Sequence, residues 1–324
     1  MKKRFSKIVL CSVAFFSILA FTGITLALAE NYPSKPIKAY YGYKTGGTCY
    51  LSFQALCKEA EKILGQPITL IEKSGATATI CGGTVASSKP DGYTIGVVKS
   101  TTIVNAPYQF KLPYSTYDDL THIYAYSGPA AGFTVRKDYP INTWKEFIEY
   151  ARKNPGKVSW GSSGAMGNVP LVTQYIGKLE NIQWNEVPCS GGAEAMKLVL
   201  GGQVDGYASS GSHVIHIEGG RAKLLVDYMD SRTYPDVPTL EELGYAGLSI
   251  GKAPYIVIAP KNLPLDIRAK LEDAFHKAAN SPEYKKLEEK LEMRPVNLSG
   301  KDLETFLGKH RETIEKILKE LGKI

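Results

Sequence analysis

Short apolar runs alternate with glycine-rich loops and amphipathic segments along most of this 324-residue chain, and this alternation constrains the fold more than any other feature. Residues 37–41 predict a strand, and residues 51–64 predict a helix that ends at Gly65. The order recurs in the middle of the chain, where the predicted helix 143–153 opens on a capping box from Thr143 to Glu146. Alternation of this kind is typical of parallel βαβ units with right-handed crossovers. We therefore predict an α/β protein in which two lobes, each built on a mainly parallel sheet, have a pocket between them.

Four glycine-rich loops follow predicted strands, at 42–50, 73–83, 161–168 and 188–192. In open parallel sheets, ligands bind outside the carboxyl ends of the strands, which is where these loops fall. Their glycines let the backbone approach a ligand closely and leave helix-start amides without partners. Because a helix N-terminus also carries a partial positive charge, the loops predict a site for an anion such as a carboxylate or a phosphate. No arginine stands in any of the four loops, so the anion would be held by aligned amides.

Residues 1–29 have the pattern of an export signal. Four basic residues come first, a largely apolar segment covers 8–28, and Ala27-Leu28-Ala29 is a small-x-small cleavage site. We predict cleavage after Ala29 and export of residues 30–324; an uncleaved membrane anchor is the alternative. No second apolar stretch is long enough to span a bilayer, so we expect the mature protein to be soluble.

The charge of the chain is only mildly basic. The formal net charge of +7 falls to about +3 once the basic signal segment is removed. Lysines and arginines are scattered among acids, as on a solvated surface. A nucleic-acid-binding protein would need a clustered basic face, so we expect no nucleic-acid partner.

Four cysteines remain after the signal segment, namely Cys49, Cys57, Cys81 and Cys189. Their spacing fits no zinc motif. Cys49 and Cys81 both stand in glycine-rich loops that we expect to be neighbours, so a disulfide between them and free thiols are both open. His213 and His216 are three residues apart, but nothing nearby completes a metal site. We predict no metal and no cofactor.

A series of short motifs runs through the chain after the signal segment. It includes Thr45-Gly46-Gly47, Ser74-Gly75-Ala76, Pro90-Asp91-Gly92-Tyr93-Thr94, Gly201-Gly202-Gln203-Val204-Asp205 and Pro235-Asp236-Val237-Pro238-Thr239. In this order the motifs resemble the Bug-type receptors, the periplasmic substrate-binding proteins of tripartite tricarboxylate transporters, over 32–324. The resemblance implies a two-lobed, type II-like Venus flytrap that catalyses nothing. It also implies a periplasmic protein that binds a small organic acid and delivers it to a membrane permease.

The resemblance also sets expectations for the organisation of the chain. Lobe 1 is expected to comprise residues 30–127 and 254–324, and lobe 2 residues 128–253. We expect the receptor to act as a monomer. An alternative is a sensor receptor, in which the same flytrap hands its closed state to a signalling protein.

The loops depart from the family pattern where a ligand would bind. Tyr50 stands where the first loop usually has an aspartate, and 72–78 replace the usual Asn-Arg-Pro-Gly-Ala-Gly-Gly of the second loop. The threonine or serine of the third loop falls near Gly167 and Asn168, and residues 189–190 replace a tyrosine–lysine pair in the fourth. Loss of the first-loop acid argues against ligands with an ammonium group, such as amino acids. A carboxylate with an apolar or aromatic body is favoured.

Candidate ligand-binding residues come from the four loops, from the end of the predicted strand 94–98 and from the 201–205 motif. They are Tyr43, Lys44, Thr45, Gly46, Gly47, Thr48, Tyr50, Ser74, Gly75, Ala76, Thr77, Lys99, Ser100, Ser162, Ser163, Gly167, Asn168, Cys189, Ser190, Gly191 and Asp205. Lys44 and Lys99 would add a direct charge to a carboxylate, although Lys44 is also compatible with an exposed surface position. Tyr43 and Tyr50 would wall the body of the ligand. The serines and the amide of the third loop would bind the ligand or cap their own helix.

A cysteine-dependent enzyme is the remaining functional alternative. Cys49 at a helix N-terminus would have a lowered pKa and could act as a nucleophile. No histidine lies near it in the sequence to serve as its base.

Overall fold

The computed structural model describes residues 32–162, 164 and 166–324. The predicted signal segment, its cleavage site and Ser163 therefore lie outside the described residues. Within the described ranges, the strands are β1 (Ile37–Tyr41), β2 (Ile68–Glu72), β3 (Thr94–Lys99), β4 (Leu120–Pro129), β5 (Ala131–Arg136), β6 (Ser159–Ser162), β7 (Asn185–Pro188), β8 (Gly206–Ser210), β9 (Ala222–Asp227), β10 (Tyr255–Pro260) and β11 (Met293–Ser299). The α-helices of these ranges are α1 (Thr48–Leu64), α2 (Thr79–Ala86), α3 (Ser100–Val104), α4 (Trp144–Lys153), α5 (Asn168–Leu179), α6 (Gly192–Leu200), α7 (Val214–Glu218), α8 (Leu265–Ala279), α9 (Pro282–Lys290) and α10 (Gly300–Glu320).

The strands form two sheets. One has the order β11-β4-β10-β3-β1-β2, and the other has the order β7-β6-β8-β5-β9. β1 runs parallel to β2 and β3, and β6 runs parallel to β7 and β8. The prediction of an α/β fold with two lobes is confirmed.

The prediction that each sheet is mainly parallel is wrong. β10 pairs antiparallel with β3 and β4, β11 pairs antiparallel with β4, and β5 pairs antiparallel with β8 and β9. Three of these strands stand where the chain passes between the sheets, because only Ala130 separates β4 from β5 and β10 brings the chain back. β11 joins the edge of the first sheet later in the chain. The βαβ crossovers of the parallel strands are not repeated there. The lobe boundaries at 127/128 and 253/254 stay predictions, and the first of them falls inside β4.

Helix α1 shows how the sequence forms the elements that carry the site. Its buried face includes Phe53, Leu56, Ala60 and Leu64, which recur at the spacing of helical turns. Gly65 ends the helix with a φ of 69°, and its N–H donates to the carbonyl of Glu61 at 2.9 Å. The helix begins at Thr48, three residues before the predicted start, and no side chain caps it.

The second sheet is held by an aromatic cluster. The ring of Phe133 on β5 lies 5.1 Å from that of Trp144 and 5.0 Å from that of Phe147, both on α4. Helix α4 begins with the predicted capping box, because Thr143 accepts from the amide of Glu146 and the Glu146 carboxylate accepts from the amide of Thr143. Trp184 connects this cluster to β6, because its ring lies 6.5 Å from that of Phe133 and 6.2 Å from that of Trp160 on β6. Within the described ranges, no helix is both long and apolar enough to cross a membrane.

Candidate functional site

A cavity of about 910 Å³ lies between the two sheets and is lined by residues from both. The predicted glycine-rich loops begin where β1, β2, β6 and β7 end, at their carboxyl ends, as expected. The predicted residues that line the cavity are Tyr43, Thr48, Thr77, Lys99, Gly167, Asn168 and Gly191. The other described candidates are not part of the lining.

Lys99 and Tyr43 form one wall. Lys99 is the last residue of β3; its amide donates to the Tyr43 hydroxyl at 3.1 Å, and that hydroxyl also lies 3.2 Å from the Thr102 hydroxyl. The Lys99 ammonium lies 5.8 Å from the ring centre of Tyr43 and 5.4 Å from that of Tyr255. Burial lowers the pKa of Lys99, and the neighbouring Cys49 offsets only part of this effect.

Tyr255 also lines the cavity, but it is not among the ligand-binding residues predicted from the sequence. It is the first residue of β10 and is almost fully buried, with its ring 6.2 Å from that of Tyr43. The sequence predicts a strand at 255–258, but it holds no signal that the start of an antiparallel strand meets the carboxyl ends of the parallel strands. That meeting follows from the pairing of Tyr255 with Lys99.

The first loop is turned toward a carboxylate of the protein itself. Glu72, the last residue of β2, accepts from the amide of Thr45 at 3.2 Å, from its hydroxyl at 2.5 Å and from the Ser74 hydroxyl at 2.7 Å. The Lys44 ammonium lies 3.8 Å from the same carboxylate on a side chain that is 89% exposed. The hydrogen bond from Thr45, followed by that from Ser74, lowers the pKa of Glu72. Lys44, Thr45 and Ser74 are thus engaged by Glu72 and do not line the cavity.

Other predicted members of the first and second loops also lie off the cavity lining, namely Gly46, Gly47, Tyr50, Gly75, Ala76 and Ser100. The second loop still shapes the wall, because three consecutive residues, Ala76, Thr77 and Ala78, have φ values of 44°, 55° and 66°. This left-handed turn brings Thr77 to the cavity, and its carbonyl accepts from the Thr102 hydroxyl at 2.8 Å. Left-handed backbone in alanine and threonine is costly, so the turn is held by its surroundings.

The third loop joins the two sides of the cavity. The Asn105 amide, which follows α3, donates to the carbonyl of Met166 at 2.8 Å and to the side-chain oxygen of Asn168 at 3.0 Å. Asn168 in turn donates to the carbonyl of Ile250 at 2.9 Å. Asn168 therefore lines the cavity and also ties three chain segments together. Ser162 is buried, and its hydroxyl donates to Glu186 instead of facing the cavity.

The fourth loop reaches the cavity through its glycine backbone and not through the side chains of Cys189 and Ser190. Gly191 lines the cavity at the start of α6. Ser190 donates to Glu194 through its amide at 2.7 Å and its hydroxyl at 2.6 Å, and the Cys189 thiol faces the carbonyl of Val187 at 3.4 Å. Both side chains are used within the loop and do not line the cavity.

The structure does not support Asp205 as a ligand-binding residue. It lies just before β8, at the amino end of a strand that runs parallel to β6, so it stands at the edge away from the glycine-rich loops. Its carboxylate accepts from the Tyr139 hydroxyl at 3.0 Å and from the Ser159 amide at 2.8 Å. Asp205 therefore fixes the start of β6.

The cysteines do not have the chemistry of a catalytic site. All four described cysteines are free thiols, so the Cys49–Cys81 disulfide is not formed. Burial raises the pKa of Cys49 well above its ordinary value, and the charge of Lys99 offsets only part of that rise. The expectation of a lowered Cys49 pKa is wrong, because the thiol is buried rather than exposed at the helix start. Among the described residues, no cluster of histidine, cysteine or acid side chains could hold a metal.

The far wall carries ionisable residues that sequence reasoning missed. His216 on α7 and Glu292 before β11 both line the cavity. Burial, together with a hydrogen bond and charge repulsion from Glu218, raises the pKa of Glu292 to about 7. The sequence showed no strand at 293–299, so nothing in the pattern placed Glu292 near α7.

Comparisons with known proteins identify the family. A model described as the tripartite tricarboxylate transporter family receptor matches residues 53–323. This protein is a member of that receptor family. The receptor is 33% identical over 298 residues to a UPF0065 protein in the gbd 5′ region of Cupriavidus necator, covering 91% of this chain and 90% of the relative.

Solved structures share the fold of this receptor. The periplasmic binding protein BugD matches with a TM-score of 0.72 and 25% identity, covering 90% of this chain and 99% of that one. MatC from Rhodopseudomonas palustris, solved with bound malate, matches with a TM-score of 0.70 and 24% identity, covering 89% and 100%. The protein is thus a periplasmic-type solute-binding receptor of this family and not an enzyme.

Proposed function

We propose that this receptor captures a small organic acid in the cavity between its two sheets and delivers it to a membrane permease. The observation that supports this most is the position of the cavity, at the carboxyl ends of the parallel strands of both sheets. Its volume of about 910 Å³ lies within the usual range for small-molecule sites. A ligand that touches both sheets would favour the closed arrangement, because those contacts exist only when the sheets approach.

We propose export to the periplasm with cleavage after Ala29, action as a monomer, and lobes divided at 127/128 and 253/254. N-terminal sequencing of the exported protein tests the cleavage site, and light scattering tests the monomer. A mature chain that retains the apolar segment would contradict the first expectation, and a stable dimer would contradict the second.

Ligand binding is tested on protein unfolded and refolded to remove any co-purified molecule. Thermal unfolding is followed with malate, adipate, citrate and benzoate as probes. A ligand at 100 times its dissociation constant stabilises the folded state by about 2.7 kcal/mol. We expect at least one of the four carboxylates to raise the melting temperature in a saturable way without being consumed; absence of any shift at millimolar concentrations would contradict the proposal.

Delivery to a permease is tested in cells. Deletion of the receptor should abolish uptake of the carboxylate that stabilises it, and the intact gene should restore uptake. Unchanged uptake in the deletion strain would contradict a transport role while leaving the binding result intact.

A further inference from the structure

Lys99 is a cation without an anionic partner at the wall of the cavity. Its side chain is half-buried, and among the described residues no carboxylate lies within ion-pair distance of its ammonium. The groups that face it are the rings of Tyr43 and Tyr255 and the thiol of Cys49. Burial raises the pKa of all three groups, so they are neutral at physiological pH.

An ammonium held in this way is costly unless something completes its surroundings. Removing a charge from water without pairing it is unfavourable, and the tyrosine rings offset this only in part. Lys290, the other lysine of the lining, differs because it is exposed. The cost at Lys99 therefore points to a bound anion rather than to a contribution to folding.

We infer that Lys99 is the specificity-determining residue of this receptor, and that its ammonium forms a direct ion pair with the carboxylate of the ligand. The uncapped start of α1, where Thr48 lines the cavity, adds its partial positive charge to the same wall. The faces of Tyr43 and Tyr255 are then positioned to contact the carbon atoms next to the carboxylate. This inference rests on the proposed function and specifies how that site selects its ligand.

The test compares Lys99→Met, Lys99→Arg and the matched control Lys44→Met, whose side chain is exposed and lies off the cavity lining. Calorimetric titrations of refolded protein use malate, adipate and benzoate as probes. For each probe that binds the wild type, we expect Lys99→Met to weaken binding by about 10- to 100-fold, the range for a lost charged hydrogen bond. Lys99→Arg should retain much of the affinity, and Lys44→Met should change it by less than about threefold, because its exposed ion pair with Glu72 contributes little.

Two further readouts separate this role from a structural one. Without ligand, Lys99→Met should unfold at the same or a higher temperature than the wild type, whereas a lysine that supports the fold would lower it when removed. The wild-type affinity should fall as the pH rises toward the ordinary lysine range and Lys99 loses its proton. The affinity of Lys99→Arg should stay level, because guanidinium remains charged.

Each outcome decides the inference. Lys99→Met with affinity within about threefold of the wild type, or with a clearly lowered melting temperature in the absence of ligand, would overturn it and leave the receptor function in place. A wild type that binds none of the carboxylates would overturn both the inference and the proposed function.

Discussion

At the scale of single residues, Glu72 redirects what the sequence presents as an anion-binding loop. A glycine pair after a strand predicts amides aimed at a ligand, yet the amide and hydroxyl of Thr45 both donate to Glu72. The protein thus supplies its own carboxylate to this loop. Lys99, at the end of the strand next to β1, is left as the half-buried cation of the cavity wall.

Replacement of Glu72 by Gln should loosen the first loop around Thr45, while the Tyr43 side chain stays held by its contacts with Lys99 and Thr102. The neutral amide is a weaker acceptor for Thr45 and Ser74 and no longer attracts Lys44. We expect faster amide hydrogen exchange across 42–48, with no change across α4, and carboxylate affinity within about threefold of the wild type. Unchanged exchange across 42–48 would show that Glu72 does not order the loop.

At the scale of elements, the start of α5 connects the two sides of the cavity. The Asn105 side chain is fully buried and donates to both Met166 and Asn168. Because Asn105 follows β3 and α3 whereas the acceptors open α5, these bonds join the neighbourhoods of the two sheets. Movement of the two sheets away from each other would break these bonds.

Asn105→Ala should therefore weaken ligand binding although Asn105 does not line the cavity. Loss of two hydrogen bonds of about 0.5–1.5 kcal/mol each predicts affinity about 5- to 100-fold lower. Thr143→Ala is the matched control, because loss of its helix cap costs about 1 kcal/mol of stability far from these contacts. The control should bind the ligand as the wild type does. If Asn105→Ala binds the ligand with the affinity of the wild type, these two hydrogen bonds do not contribute to ligand binding.

Helix α10 contains a buried histidine that should destabilise the protein in acid. Both ring nitrogens of His310 lack hydrogen-bond partners among the described residues, and burial lowers its pKa to about 4. The unfolded chain takes up a proton below about pH 6.5 and the folded chain does not until about pH 4, so stability falls as the pH drops through that window.

His310→Leu should remove this contribution. We expect a higher melting temperature than the wild type, with a larger gain at pH 5 than at pH 7.5, from relief of a desolvation cost of about 1–3 kcal/mol. His122, whose pKa burial also lowers to about 4, remains in the variant, so part of the acid sensitivity should persist. A variant less stable than the wild type at both pH values would show that the imidazole packs better than leucine.

At the scale of the whole molecule, the sequence predicts the parallel strands and their loops better than the strands that join the sheets. β1, β3 and α1 have clear periodicity and glycine or proline boundaries, and all appear in the structure close to their predicted positions. The sequence pattern does not predict β4, because its buried residues include His122 and Ser127, which break the apolar pattern.

The candidate site, like the fold, could be predicted where its residues come from parallel strands but not where they come from antiparallel ones. Tyr43 and Lys99 follow parallel strands, so their position at the cavity could be inferred from chain order. Tyr255 and Glu292 could not, since they reach the cavity through antiparallel pairings that depend on tertiary structure. The engagement of Thr45 by Glu72 also depends on the register of β1 with β2, which pairs Tyr41 with Glu72.

A crystal structure of the refolded receptor with the carboxylate that stabilises it most would test the central claim directly. We expect the ligand in the cavity between the two sheets, with a carboxylate oxygen about 2.7–2.9 Å from the Lys99 ammonium. We also expect carbon atoms of the ligand against Tyr43. A carboxylate bound outside this cavity, or held within it away from Lys99, would contradict the account.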